Sequence, residues 1–147
     1  MPPSAERDEE QPNERNPAGV GLAILAEALY LANLLAIPGI AFLILGALYR
    51  RRGKDSPPLA TAHLAQTFFA SLWAGVLLVV VIALILLLGG YRGVHTWVIL
   101  IIYFTVCHST LVLLGVVGLA KALAEQCWRF PLVGRPLPAG CPGATNG

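Results

Sequence analysis

Three long apolar blocks separated by short polar segments dominate the chain, at residues 20–49, 59–88 and 96–120. None of them carries the polar face that an amphipathic helix of a soluble protein shows. Each reaches or exceeds the roughly 20 residues that a helix needs to cross a bilayer. The pattern therefore predicts an all-α fold, a polytopic membrane helical bundle with three transmembrane helices.

The first block is interrupted by Pro38-Gly39. One straight helix of that length would reach about 45 Å, against a hydrocarbon core of roughly 30 Å. Two arrangements fit: a single span kinked at Pro38-Gly39, with Glu27 emerging at the outer interface, or a re-entrant pair broken there. The second half holds only ten residues before Arg50, too few to cross alone. The kinked span is therefore preferred, and the predicted spans are about 28–49, 66–88 and 96–120.

Polar, proline-containing segments flank these blocks. Residues 1–19 are acidic and lack the basic start and short apolar region of a signal peptide, which predicts a disordered tail. Residues 20–128 form the predicted transmembrane domain. Residues 129–147 are rich in Pro and Gly, which predicts an irregular C-terminal tail.

Composition supports the bilayer as solvent. Hydrophobic residues make up 56% of the chain and charged residues 12%, about half the charged share of soluble proteins. No segment combines clustered basic residues with aromatics, so nucleic acid is not an expected partner. Membrane lipid is.

Basic residues predict the orientation. The loop after the first span carries four, which are expected to contact headgroups and to set the topology: Arg50, Arg51, Arg52 and Lys54. Together with the C-terminal region, seven Lys and Arg fall on one predicted side, against three on the other. The positive-inside rule then predicts a multi-pass protein of the bacterial cytoplasmic (inner) membrane, with its N-terminus outside and its C-terminus cytoplasmic.

The three cysteines, Cys107, Cys127 and Cys141, form no recognisable motif. The predicted topology places the last two in the cytoplasm, where disulfides are rare. All three are therefore expected to be free thiols.

Small residues at three- or four-residue spacing share a helix face and predict close helix packing, either within a compact bundle or in a dimer. Three helix faces carry them, and their members are Ala28, Ala32 and Ala36; Ser71 and Gly75; and Gly115 and Gly118.

The histidines raise the question of haem. His63 and His108 differ in predicted depth by roughly 20 Å, so one haem cannot be ligated by both within a single chain. His108 lies at mid-membrane depth, where an ionisable group is costly and is a candidate for function. Either it contributes to a cofactor site shared with a partner, or it is a neutral imidazole bonded to a neighbouring helix. No cofactor or metal is expected within this chain.

Four other polar residues of the apolar blocks also have both a functional and a purely structural interpretation. Glu27 with Asn33 could form an ion or proton site, or Glu27 could simply be solvated at the interface. His63 and Gln66 lie at the cytoplasmic start of the second span, as a polar vestibule or as an ordinary interfacial helix end. Catalytic motifs such as Gly-x-Ser-x-Gly and His-Glu-x-x-His are missing from the sequence, and no enzyme activity is expected.

The order of landmarks resembles a family of small bacterial integral membrane proteins of unknown function. The resemblance rests on Pro38-Gly39, a charged loop with prolines, the segment His63-Leu64-Ala65-Gln66-Thr67-Phe68-Phe69 that opens a long helix, and Arg129-Phe130-Pro131-Leu132. It covers residue 20 to about residue 137. That family is distantly similar to the multi-helix inner-envelope component of the chloroplast protein-import machinery, which implies a helical fold and a translocon-like setting.

The sequence thus favours a non-catalytic accessory or scaffold subunit of a membrane complex. Its expected partners are lipid and other membrane subunits, or further copies of itself. Two alternatives stay open: an oligomeric transport or pore component, and a respiratory-complex subunit that contributes His108 to a shared cofactor site.

Overall fold

The structure, a computed structural model, describes residues 19–53, 55–131 and 133–142. These residues form four helices: α1 (Val20–Leu35), α2 (Ile40–Arg52), α3 (Pro58–Gly89) and α4 (Val94–Leu123). The acidic tail up to residue 18, Lys54, Leu132 and residues 143–147 lie outside the described residues. The all-α prediction is confirmed.

The two longest helices, α3 and α4, form an antiparallel pair that is long and apolar enough to cross a membrane. Their 32 and 30 residues correspond to about 48 and 45 Å. Only 6% of the most apolar window of α3, and 11% of that of α4, is buried inside the chain. A core helix of a soluble protein would be mostly buried, so these two helices do not form a water-soluble core.

The first apolar block is a helical hairpin, so the prediction of a single kinked span is wrong. Ala26 of α1 and Leu45 of α2 belong to one buried cluster, together with Leu64 of α3. In a continuous helix those first two residues would be separated by about 28 Å. At about 24 and 20 Å, α1 and α2 are each too short to cross a hydrocarbon layer of roughly 30 Å.

The reversal occurs where the sequence cannot continue a helix. Pro38 has no amide hydrogen to donate to a helix. Gly39 has φ 84° and ψ −52°, a region that side chains with a Cβ avoid. The Gly39 amide donates to Oδ1 of Asn33 at 2.9 Å, which caps the end of α1. The same Pro-Gly pair that was expected to kink a span therefore turns the chain back on itself.

The hairpin brings the start of α1 beside the start of α3. A Cβ placed on Gly19 would lie 3.0 Å from Cβ of Ala60 and 3.2 Å from Cβ of Pro57. The beginning of α1 thus lies at the same end of the fold as the α2–α3 loop. The predicted three-span topology, with the N-terminus on the side opposite to that loop, is not what the structure shows.

The opposite end of the fold is the short α3–α4 turn. Oγ1 of Thr96 donates to the carbonyl oxygen of Gly89 at 2.7 Å, and Nε1 of Trp97 donates to that of Tyr91 at 2.9 Å. Tyr91 and Trp97 also pack edge to face. Exposed aromatics at a helix end are typical of a membrane interface.

The segment 124–142, called the strap below, has neither helix nor strand among its described residues. It returns across the bundle at the end where α1 begins. Phe130 is 1% exposed and packs with Tyr30 of α1 and Ala70 of α3. The irregular C-terminal segment is therefore a packed part of the fold as far as Pro142.

Candidate functional site

A buried polar cluster lies where α1, α3, α4 and the strap meet. Its centre is Glu27, whose Oε1 lies 2.6 Å from Nδ1 of His63. Nε2 of His63 lies 3.0 Å from the carbonyl oxygen of Gln126 in the strap. Both side chains are completely buried. Sequence reasoning placed them at opposite membrane interfaces, and the hairpin brings them together.

The hydrogen bonds determine how many protons this pair holds. A backbone carbonyl only accepts, so Nε2 of His63 must carry a hydrogen. One further proton lies between Nδ1 of His63 and Oε1 of Glu27. Wherever it resides, the pair is either an imidazolium with a carboxylate or a neutral imidazole with a carboxylic acid. Its total charge is zero in both cases, which avoids burying an uncompensated charge.

Two glycines of α4 make room for the α1 side chains. A Cβ on Gly118 would lie 2.5 Å from Oε2 of Glu27, and one on Gly115 would lie 2.7 Å from Cε1 of Tyr30. The Tyr30 hydroxyl in turn donates to the carbonyl oxygen of Leu111 at 3.2 Å. Both glycines belong to a predicted packing face, and the structure places that face against α1. Close packing at Gly118 therefore coincides with the polar cluster.

Gln66, one turn from His63 on α3, holds the strap. Its Nε2 donates to the carbonyl oxygen of Arg135 at 2.6 Å, and its Oε1 accepts from the amide of Arg135 at 3.1 Å. This pairing fixes the orientation of the amide, because the carbonyl only accepts and the N–H only donates. The Arg135 guanidinium also lies 4.6 Å above the ring of Phe69. Gln66 is 1% exposed and acts as a clamp on the strap.

Replacing Gln66 by Met is expected to release the strap, because both hydrogen bonds to Arg135 are lost while the side-chain volume is nearly kept. The expected cost is about 1–2 kcal/mol, seen as faster tryptic cleavage after Arg129 under reducing conditions. Gln126→Met is the matched control, because the Gln126 side chain is exposed and bonds only Lys121 among the described residues. Equal cleavage rates in the two variants would contradict the clamp.

Cys127 and Cys141 form a disulfide, which corrects the prediction that all three cysteines are free. The strap bends back so that the Cys127 amide donates to the carbonyl oxygen of Pro142 at 2.9 Å. This contact brings the two thiols together although their spacing in the sequence matches no motif. Cys107, in the middle of α4, is a free thiol.

The predicted packing stripe of α1 does not face the rest of the bundle. Ala28 and Ala36 are exposed and Ala32 is half-buried, so this stripe faces away from the bundle. The buried face of α1 carries Ala23, Ala26, Glu27 and Tyr30 instead. Contact of the stripe with a partner helix or a second copy stays a prediction.

The remaining candidates fall into two places. Arg50, Arg51 and Arg52 are exposed at the end of α2, beside the strap end of the fold. Ser71, Gly75 and His108 line a cavity next to the hairpin tip, and so does Asn33. Glu27 and Asn33 therefore do not form one site: the first bonds His63, and the second caps the hairpin turn.

The histidines do not converge on one ligand. Both ring nitrogens of His63 are engaged by Glu27 and Gln126. His108 stacks on Phe104 of its own helix, with ring centroids 5.1 Å apart. Within the residues that the structure describes, no group of three or more His, Cys, Asp and Glu side chains is arranged to hold a metal ion.

Comparison with known proteins adds no relative. No protein-family profile matches the chain, and neither a curated protein nor a solved structure matches it.

Proposed function

We propose that the chain is an integral membrane protein in which α3 and α4 span the bilayer and the α1–α2 hairpin enters it from one side. The observation that supports this proposal most strongly is the exposure of large apolar side chains. Leu43 at the hairpin tip is 70% exposed, and Leu87 and Leu88 near the α3–α4 turn are 80% and 86% exposed. Hydrocarbon, not water, is the solvent for such surfaces.

The same proposal gives an orientation. Six of the seven Lys and Arg residues that the structure describes lie at the strap end of the fold, and Arg92 alone lies at the other. The positive-inside rule then puts this end, with both the start of α1 and the strap, in the bacterial cytoplasm. The Cys127–Cys141 disulfide lies at the same end, and it favours the opposite orientation because disulfides are rare in the cytoplasm. We give the basic residues more weight, because six of the seven described Lys and Arg residues lie at this end.

Within the membrane, the chain acts as a non-catalytic accessory or scaffold subunit. Its outer half consists of α3 and α4 alone, because the hairpin reaches only about half of their length. In the last nine residues of α3 no side chain is buried by the chain itself. Partner helices fit such a surface as well as lipid does.

The two alternatives differ in support. A pore needs polar side chains along the whole span, and residues 76–88 of α3 are entirely apolar. A respiratory subunit with a shared cofactor is favoured by one observation: Nδ1 of His108 is buried and has no hydrogen-bond partner among the described residues. An absorption spectrum of the purified complex, with or without a Soret band, separates a haem-binding subunit from a scaffold.

Purification from native membranes in mild detergent, through a C-terminal tag, tests the scaffold role. We expect a partner at stoichiometric amount by mass spectrometry, and its loss when the same preparation is repeated in a harsh detergent. The protein purified alone, as a monomer or homo-oligomer, would contradict the role of an accessory subunit.

A further inference from the structure

A cavity of about 570 Å³ lies between the hairpin tip and the middle of the two long helices. Its walls come from Asn33 and Phe42 of the hairpin, Ser71, Gly75 and Val79 of α3, and His108 of α4. His108 is 14 residues from the start of α4, about 21 Å from the α3–α4 turn. The cavity therefore lies within the apolar layer that the exposed side chains define. Its volume is in the range of small-molecule sites.

The cavity is apolar except for three polar side chains, Asn33, Ser71 and His108. Oγ of Ser71 has no hydrogen-bond partner among the described residues, although Ser71 is only 3% exposed. Nδ1 of His108 is likewise buried and unpartnered. The Asn33 side chain has its Oδ1 engaged by Gly39, which leaves its amide hydrogens free to donate. Buried polar groups normally find a partner. The Ser71 hydroxyl, the half-buried Asn33 amide and, with its hydrogen on Nδ1, the His108 ring can each donate, which points to a ligand with accepting oxygen atoms.

The backbone of the cavity wall is itself unusual. Val76–Val80 of α3 form a π-helical turn, and Val76, Val79 and Val80 line the cavity. Such turns interrupt α-helices rarely and occur frequently at functional sites. The Tyr103 hydroxyl donates to the carbonyl oxygen of Leu77 within this turn at 3.0 Å, which ties the turn to α4.

We propose that this cavity binds a lipid with a small, uncharged head that carries carbonyl oxygens. No Lys, Arg, Asp or Glu is among its described lining residues, so a phosphate head would find no permanent counter-charge there. A carbonyl-bearing head accepts hydrogen bonds from Ser71, Asn33 and His108, while its tail lies among the apolar residues. Leu72, Val79 and Phe104 line the cavity and are exposed, so the lipid enters sideways from the bilayer. The proposal rests on the membrane embedding proposed above.

Two sources offer this head chemistry: a quinone and a diacylglycerol. The full-length protein, purified in dodecylmaltoside, is titrated with decylubiquinone and, separately, with dioleoylglycerol, and the adducts are counted by native mass spectrometry. We expect saturable binding of one equivalent of at least one probe. Binding of decylubiquinone alone assigns a quinone, and binding of dioleoylglycerol alone assigns a glyceride.

Three variants locate the site. Ser71→Ala and His108→Phe each remove one hydrogen bond and are expected to weaken binding about tenfold. Gly75→Leu fills the cavity and is expected to abolish binding, and it leaves the fold intact because a Cβ on Gly75 meets no atom within 4 Å. Gly21→Leu is its control, since a Cβ there is equally unhindered but far from the cavity.

Circular dichroism and gel filtration check that each variant is folded. Failure of both probes to bind, or binding unaffected by Gly75→Leu, would overturn the lipid site. Release of the protein from membranes by alkaline carbonate would instead overturn the membrane embedding, so the two failures are distinguishable.

Discussion

Replacing Glu27 by Leu is expected to lower the free energy of unfolding by about 3 kcal/mol, because removal of one member of a buried pair leaves the other without its partner. Nδ1 of His63 then has no hydrogen-bond partner in a site that water cannot reach. Glu27→Gln is expected to cost less than about 1 kcal/mol, since its amide can donate to Nδ1 and the site stays neutral. The two values are measured by unfolding in mixed dodecylmaltoside and dodecyl sulfate micelles.

Glu125→Leu is the control for Glu27→Leu, because Glu125 is exposed in the strap. We expect this change to stay within about 0.5 kcal/mol of the native protein. Equal costs for Glu27→Leu and Glu125→Leu would contradict the buried pair. Equal costs for Glu27→Leu and Glu27→Gln would contradict the hydrogen bond as its source of stability.

The second large effect is expected at Gly118. Its replacement by Ala forces the Glu27 carboxylate away from His63, because the new Cβ would lie 2.5 Å from Oε2. The overlap and the broken hydrogen bond cost about 3 kcal/mol, and the higher helix propensity of Ala returns about 1 kcal/mol. The net loss is about 2 kcal/mol. Gly21→Ala, at an unhindered helical position, is expected to be neutral or slightly stabilising.

A double-mutant cycle shows whether the contact with Glu27 causes this loss. In a Glu27→Ala background the atoms that the Gly118 Cβ would meet are gone. Gly118→Ala is then expected to stabilise the protein by up to about 1 kcal/mol relative to Glu27→Ala alone, because only the helix-propensity gain remains. An unchanged cost of about 2 kcal/mol in that background would show that another contact is responsible.

The parts of the fold that hydropathy decides could be predicted from the sequence. The second and third apolar blocks are the two long helices, since length and lack of charge alone make them so. The reversal at Pro38-Gly39 could not be predicted in the same way, because a kinked span and a hairpin have the same hydropathy. They differ in whether α1 packs on α3, and that depends on tertiary contacts of Glu27, Ala26 and Gly118.

The candidate site could not be predicted either, because it forms only when the first apolar block folds as a hairpin. Glu27, His63 and Gln66 were all recognisable as polar residues within apolar blocks, but their partners lie far away in the sequence. Glu27 and His63 are 36 residues apart, and Gln66 and Arg135 are 69 apart. A signal was present in Gly118, whose missing side chain makes room for a carboxylate, but a packing glycine does not reveal what it packs against. The pairing of Cys127 with Cys141 depends on the return of the strap and was equally invisible.

Side-specific cysteine labelling tests the hairpin most directly. The three native cysteines are first changed to serine. A single cysteine then replaces Gly21, Asp55 or Arg92. An impermeant maleimide is applied to intact cells and, separately, to inverted membrane vesicles. The hairpin predicts that positions 21 and 55 are labelled from the same side, the cytoplasmic one, and position 92 from the other. Labelling of position 21 together with position 92 would mean that the first apolar block crosses the membrane, and would contradict the hairpin.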